Sequence, residues 1–329
     1  MRRGLGRASF VLLVMVMLSL WALPGCAEES ALKENARVEV QEVTGSKTRP
    51  VTVFYQTKEG YLVPYNTLVP NDENVARHAV EKLIAGPPEK EFLKRTLPEG
   101  IIVRDLYVKN ESAFLDLGGV EEKIKEGAAW RQAVNSIVLT LTELPDITTV
   151  QILLDGKETD KPLQRPWIIN PISGGQPDWR PVRLYFSYHD VYLVPVTITL
   201  PPDTKETVSA TINQLVAGPQ GIPGLSPVFP EGTRLLGLKR EGDLVYLNFS
   251  KEAVLGDKKN NFSEQKITLA ALAYTLRQFP GIKRFAVLVD GEPYAVPGLK
   301  QPIAVPKTYR DWFGIAPSRG LLRLLAISG

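Results

Sequence analysis

Between residues 75 and 84 apolar side chains recur at helical spacing, with Val75/Ala76, Ala79/Val80 and Leu83/Ile84 on one stripe, the pattern of a helix with a single buried face. Gly86-Pro87 follows at once. Glycine can take a left-handed C-cap and proline cannot continue a helix, so the helix is expected to stop there. Pro70-Asn71 ahead of it supplies turn and N-cap residues. A second stripe runs through Val134, Ile137, Val138, Leu141 and Leu144 and ends at Pro145. Between the two stripes lie β-rich runs, Ile101 to Val108 and Ser112 to Leu117, joined by the polar Lys109-Asn110-Glu111, which predicts a hairpin. A last run, Val150 to Leu154, closes on the turn signal Asp155-Gly156.

The same succession returns later in the chain. Arg49-Pro50-Val51 and Tyr61-Leu62-Val63-Pro64 recur as Arg180-Pro181-Val182 and Tyr192-Leu193-Val194-Pro195, displaced by 131 residues. At a displacement of 132, Leu83-Ile84-Ala85-Gly86-Pro87 matches Leu215-Val216-Ala217-Gly218-Pro219, and Phe114-Leu115-Asp116-Leu117 matches Tyr246-Leu247-Asn248-Phe249. After a further three-residue insertion, Leu153-Leu154-Asp155-Gly156 matches Leu288-Val289-Asp290-Gly291. A period this long belongs to whole domains rather than to solenoid repeats. In the second copy Asp203 and Glu206 have capping-box spacing, and apolar stripes run through Val208, Ile212 and Leu215 and through Leu269, Leu272, Leu276 and Phe279. Each copy reads as strand, strand, helix, hairpin, helix, strand. The fold class is α+β: two tandem copies of a small domain in which two helices pack on a small mixed β-sheet, each copy with its own core and each expected to fold alone.

The N-terminus changes how the ends are read. Arg2, Arg3 and Arg7 precede an apolar run from Phe10 to Leu23, which is short for a membrane span and ends in small residues, as an export signal does. Leu23-Pro24-Gly25-Cys26 resembles the lipobox of bacterial lipoproteins. That resemblance implies diacylation of the Cys26 thiol and cleavage before it; the other reading is an ordinary secretory signal with a chance cysteine. Cys26 is the single cysteine, so no internal disulfide is available to it. Two acyl chains would give a stable anchor where one gives a marginal one. The expected organisation is a signal peptide over 1–25, a charged spacer over 26–48, one domain over 49–163, a Pro/Gly-rich linker over 164–179, a second domain over 180–300 and a tail over 301–329.

Removing residues 1–25 removes three of the 39 basic side chains and no acid, leaving 36 basic against 36 acidic. The mature chain is formally neutral and shows no clustered basic face, so nucleic acid is not an expected partner.

Catalytic chemistry finds few candidates. His78 and His189 align with Ala210 and Lys58 rather than with each other, and a chain with two histidines and one committed cysteine offers no metal-ligand cluster. Asp155 and Asp290 recur, but Asp-Gly after a strand is first a turn; Asp116 becomes Asn248 in the second copy. No catalytic, metal or cofactor residues are assigned. The remaining candidates are surfaces. Tyr61 and Tyr192, with Tyr55, Tyr65, Tyr185 and Tyr188, are either contact residues or strand packing. The run from Trp312-Phe313 to Leu325 is either a docking or membrane-surface helix or a strap across the second domain.

Taken in order and twice over, Tyr61-Leu62-Val63-Pro64, Leu83-Ile84-Ala85-Gly86-Pro87, Pro98-Glu99-Gly100, Leu139-Thr140-Leu141 and Val150 to Gly156 resemble the GerM domain of sporulation and spore-germination proteins. The resemblance covers nearly all of 49–163 and 180–300. It implies a likeness to ring-building motifs, small helix-and-sheet modules that assemble side by side. The expected function is therefore a non-enzymatic envelope lipoprotein, a scaffold or assembly module in sporulation or germination. It would be held by lipid on Cys26 to the outer face of the cytoplasmic membrane, or to the forespore outer-membrane side in a sporulating cell. Its expected partners are envelope or sporulation proteins in a homo- or hetero-oligomeric ring. The alternatives are a module that binds cell-wall glycan or a small molecule, and a glycan hydrolase, for which two carboxylates would have to face each other across a groove.

Overall fold

The computed structural model describes residues 47–310, apart from 89, 122–126, 160, 173–175, 177, 254–261 and 295–299. Cys26, Trp312 and Phe313 lie outside the described residues.

The first copy opens on a long antiparallel hairpin, β1 (Thr48–Thr57) and β2 (Leu62–Pro70), followed by α1 (Val75–Ala85) and the short β3 (Leu93–Lys94), which returns to pair with β1. A second sheet follows. In it β4 (Ile102–Lys109) pairs antiparallel with β5 (Ser112–Gly118), and a crossover through α2 (Ala128–Leu141) places β6 (Thr149–Leu154) parallel to β5. The short β7 (Lys157–Glu158) and β8 (Leu163–Gln164) both pair with β6. The second copy repeats this as β9 (Arg180–Tyr188), β10 (Tyr192–Leu200), α3 (Thr207–Ala217), β11 (Leu235–Glu241), β12 (Leu244–Phe249), α4 (Phe262–Leu276) and β13 (Arg284–Val289), with the short β14 (Glu292–Pro293) and β15 (Ile303–Ala304) on β13. The architecture is α+β, with two helices on a small mixed sheet in each copy and a separate hairpin against the helices.

The hairpin explains the composition of the second helix in each copy. Every residue from Ser136 to Leu141 is buried, as is every residue from Thr268 to Leu276, because α2 packs on both β1 and β6 and α4 packs on β9. A helix covered on more than one side needs apolar or small residues all round. In α2 the buried Thr140 Oγ1 accepts the Phe54 N–H at 3.1 Å.

Local turn chemistry follows the letters closely. Asn110 and Glu111, His189 and Asp190, and Asp155-Gly156 and Asp290-Gly291 all take positive φ at both positions, the conformation of tight hairpin turns whose twist matches the strands. Gly86 (φ 83°, ψ 173°) and Gly218 (φ 80°, ψ −175°) end α1 and α3. With extended ψ these are not left-handed caps but occupy a region open essentially to glycine alone. The N-terminal caps differ from expectation. The first helices begin at Val75 and Thr207, neither with a side-chain cap, because the chain spends the residues after Pro70 and Pro201 on turns. Asp72 accepts the Asn74 N–H at 2.8 Å and the Thr204 N–H reaches Pro201 O at 3.1 Å.

The described residues from Lys47 to Arg310 form one compact unit, and buried side chains of both copies belong to one continuous core. The joining residues are aromatic: Phe54 meets Tyr309 edge-on at 5.7 Å and Phe92 meets Tyr192 at 6.5 Å.

Candidate functional site

The prolines of the repeated Tyr-Leu-Val-Pro sit on edge strands. Pro64 is in β2 and Pro195 in β10, each strand paired on one side only within its sheet. Proline has no N–H to offer a neighbouring strand, and the two hairpins lie side by side without a ladder between them. The gap is bridged by Asn170, whose amide behaves like a peptide group: Oδ1 accepts the Leu62 N–H at 2.7 Å, and Nδ2 donates to Leu62 O at 2.8 Å and to Pro195 O at 2.7 Å. Next to it Thr197 Oγ1 accepts the Ile169 N–H at 2.9 Å and donates to Ile169 O at 2.8 Å. The Pro/Gly-rich connection thus packs between the copies over Ile169 and Asn170.

A second clasp comes from the tail. Tyr309, fully buried, donates its backbone N–H to Glu143 Oε2 at 3.3 Å, while its carbonyl accepts from Asn66 Nδ2 and Tyr274 Oη at 3.1 Å each. The Glu143 side chain is 2% exposed and takes Arg165 Nη2 at 2.5 Å, with Arg277 Nη2 at 3.8 Å and Arg310 donating to the Glu143 backbone oxygen at 3.1 Å. A carboxylate this deep needs such partners, because desolvation alone would be prohibitive. Described tail residues therefore form a strap at the junction: Ile303 pairs with Phe285 of β13, and Tyr309 wedges between the copies.

The sequence-predicted contact tyrosines are placed unequally. Tyr61 is half-buried at the β1–β2 turn, beside a cleft of about 240 Å³ also lined by Gln132, Asn135 and Asn170. Burial, reinforced by Glu59, raises its phenol above the usual range. Tyr192 is 1% exposed and meets Tyr188 at a tilt and Phe92 edge-on; Phe92 of the first copy covers it, so it offers no open surface. Tyr55, Tyr65, Tyr185 and Tyr188 are likewise buried, the strand-packing alternative. Tyr55 Oη donates to Lys82 O at 2.8 Å and Tyr188 Oη to Phe92 O at 3.2 Å, so the phenols satisfy backbone carbonyls.

The carboxylates resolve into turns. Asp116 Oδ1 accepts the Gly156 N–H at 2.9 Å, and in the other copy Asn248 Oδ1 accepts the Gly291 N–H at 2.8 Å. Aspartate and asparagine interchange here because the position needs an oxygen acceptor, not an acid. Asp155 pairs with Arg104 at 2.9 Å, and His78 Nε2 lies 3.0 Å from Asp72 on the surface of α1. His189 sits in the β9–β10 turn with its ring against Phe92 at 4.8 Å. Among the described residues no group of three or more His, Cys, Asp or Glu side chains could hold a metal ion.

What stays open is the face of each mixed sheet turned away from the helices. In the first copy Tyr107, 50% exposed, stacks on Phe114 with ring centroids 4.9 Å apart and planes within 8° of parallel. In the second, Gly237, Lys239, Tyr246, Asn248 and Leu288 line a shallow groove of about 520 Å³. The outermost strands β4 and β11 are both interrupted by a bulge, between Val103 and Asp105 and between Leu235 and Gly237, a device that discourages strand-to-strand addition.

The sequence profile described as Germane, "Sporulation and spore germination", matches residues 52–160 and 183–295, more than half of the chain. The chain belongs to the Germane family. The two matched stretches of Germane sequence coincide with the duplicated hairpin, helix and mixed-sheet units. A Bacillus subtilis (strain 168) relative, "Spore germination protein GerM", is 27% identical over 276 residues, spanning 76% of this chain and 75% of its own length. The solved structure of the tandem GerMN domains of the sporulation protein GerM from Bacillus subtilis superposes with a TM-score of 0.63 at 24% identity, covering 79% of this chain and 98% of that one. It is similar in fold. A Thermobifida fusca (strain YX) protein, "Lipoprotein LpqB", is 27% identical over 148 residues, which is 43% of this chain but only 23% of that protein.

Proposed function

We propose that this Germane-family chain is a non-enzymatic envelope lipoprotein, anchored through Cys26, that serves sporulation or spore germination as an assembly module. Kinship with a spore germination protein carries the process, and a relative named as a lipoprotein accords with membrane attachment. The observation that carries the assembly reading is the contrast between the faces of each mixed sheet. The helix side is filled and shared with the other copy, whereas the outer face presents an exposed aromatic stack in one copy and a Tyr246-lined groove in the other. Bulged outer strands favour contacts through faces over continuous sheets. Side-by-side packing of such faces in a homo- or hetero-oligomeric ring would use both copies, the second at high effective concentration.

The test is the oligomeric state and partner binding of the full-length chain with Tyr107→Ser and Tyr246→Ser introduced singly and together. Both side chains lie on the open faces, so the variants should keep their thermal midpoint and lose association. Hydrolysis of peptidoglycan, peptides or esters by the unaltered chain would replace this reading with an enzymatic one. The binding-module reading rests on the Tyr61 cleft, where an aromatic ring meets the amides of Gln132, Asn135 and Asn170; saturable binding of cell-wall glycan fragments lost in Gln132→Ala would favour it.

A further inference from the structure

We propose that the junction between the copies holds a site for a single small oxyanion, a carboxylate or phosphate group, gripped by Arg183 and Arg277. A cavity of about 170 Å³ there is lined by Arg165, Arg183 and Arg277 together with Trp167, Tyr185 and Gln278. That is below the roughly 300 Å³ at which drug-sized ligand pockets begin, and suits one headgroup rather than a sugar or a peptide.

The charges lining the cavity do not balance. Glu143 is the carboxylate paired with these arginines among the described residues, and its oxygens are engaged by Arg165 at 2.5 Å and by the Tyr309 N–H at 3.3 Å. Arg277 stands 3.8 Å from Glu143, beyond hydrogen-bond length, with its guanidinium over the Tyr309 ring at 5.0 Å. Arg183 meets no carboxylate in the described structure: it donates to Trp167 O, bonds the Tyr185 hydroxyl, lies over the Trp167 ring at 5.3 Å, and its buried Nε has no hydrogen-bond partner. A guanidinium has five N–H donors in a planar fork matched to carboxylate and phosphate oxygens, and leaving one of them, the Arg183 Nε–H, buried without an acceptor is costly. An oxyanion in the cavity would supply the missing acceptors.

The duplication sharpens the point. Arg183 and Arg277 stand where the first copy has Thr52 and Thr142. The repeated fold thus needs no cation at either position, and threonine already serves there: Thr52 Oγ1 donates to Asn66 Oδ1 at 2.7 Å and Thr142 Oγ1 to Val138 O at 2.6 Å. Trp167, 50% exposed at the rim, leaves a way in. This site does not depend on the assembly reading.

The test is calorimetric titration of the full-length chain with inorganic phosphate and, separately, with acetate, at fixed ionic strength set by chloride. The expected result is saturable one-to-one binding of one of them, weakened tenfold or more in Arg183→Gln and in Arg277→Gln. The identity of the binding probe assigns the site to phosphate or to carboxylate chemistry. Arg277 also touches the Glu143 cluster, so Arg183→Lys serves as the second variant; it keeps the charge, loses the fork and should bind several-fold more weakly at an unchanged thermal midpoint. Absence of saturable binding by either probe, or equal affinity in the unaltered chain and Arg183→Gln, would overturn the proposal.

Discussion

The hydroxyl of Tyr309 lies 2.6 Å from the hydroxyl of Tyr185 in a site closed to solvent. One belongs to the tail and the other to the first hairpin of the second copy, and the Tyr309 ring also meets Phe54 of the first copy. The tail is thereby a structural member of both copies.

Tyr309→Ala should destabilise the chain by about 3–5 kcal/mol, the range for emptying a buried aromatic site. Tyr309→Phe removes only the hydroxyl pair and should cost about 1 kcal/mol. Urea midpoints of the full-length chain check both. Residues 49–163 and 180–300, each with two helices and its own sheets, are still expected to fold as separate fragments, but at lower midpoints than the tandem, because Tyr309, Glu143 and Asn170 act across the junction. A fragment with no cooperative transition would show that its core is completed only by the other copy.

How much of this was legible follows from where the information sits. Helix stripes, the hairpin turns, the Asp-Gly turns and the glycines after α1 and α3 are encoded within a few residues of one another, and the duplication writes each of them twice. The clasp is encoded by single residues far apart: Glu143 and Tyr309 are 166 positions distant, and Asn170 reaches Leu62 across 108. No periodicity marks them. The equivalence of Tyr61 and Tyr192 misled for a related reason, since Phe92 covers Tyr192 while Tyr61 stands beside an open cleft. The helix starts shifted because a side chain at capping spacing does not fix where the preceding turn ends.

Glu143→Ala should cost about 3–5 kcal/mol, the penalty for removing one partner of a buried ionic cluster, since Arg165 and the Tyr309 N–H would lose an acceptor and Arg277 its neighbouring charge together. Glu143→Gln keeps an oxygen acceptor and should cost less. The same urea midpoints decide it, and a smaller loss for Ala than for Gln would mean that the cluster is held by packing alone.

Asp116→Asn should leave stability within about 0.5 kcal/mol of the parent, because Asn248 already performs the same acceptor role in the other copy. Asp116→Ala, which strips the acceptor from the Gly156 N–H, should cost about 1 kcal/mol. Asp155→Asn and Asp290→Asn should be near neutral, as asparagine also tolerates positive φ. Any hydrolytic activity abolished by one of these changes while the fold persists would mark that carboxylate as chemical rather than architectural.

The His78–Asp72 pair gives the fold a pH signature. The Asp72 carboxylate, hydrogen-bonded to the ring with Glu81 nearby, raises the His78 pKa; in return Asp72, accepting from His78 and from the Asn74 N–H, is held below the usual carboxylate range. A raised histidine contributes stability that is fully present below its unfolded value of about 6.5 and is lost as pH rises through its higher folded value. A lowered aspartate contributes above its unfolded value of about 3.9, and loses that contribution as pH falls through its lower folded value. The pair is therefore most stabilising between those limits. His78→Gln should flatten the fall in thermal midpoint between mildly acidic and mildly alkaline pH; an unchanged profile would assign the dependence elsewhere.

Cys26→Ala tests the anchor apart from the fold. The residue lies outside the described structure, and the hairpin, helix and sheet elements of both copies begin only at Thr48, so the substitution removes the proposed acylation site at a position outside both copies. The precursor should remain uncleaved or leave the membrane fraction, while the purified variant keeps the urea midpoint of the parent. Membrane retention with normal processing in this variant would mean that attachment does not run through the thiol, and would direct the search for an anchor to the apolar residues from Trp312 onward.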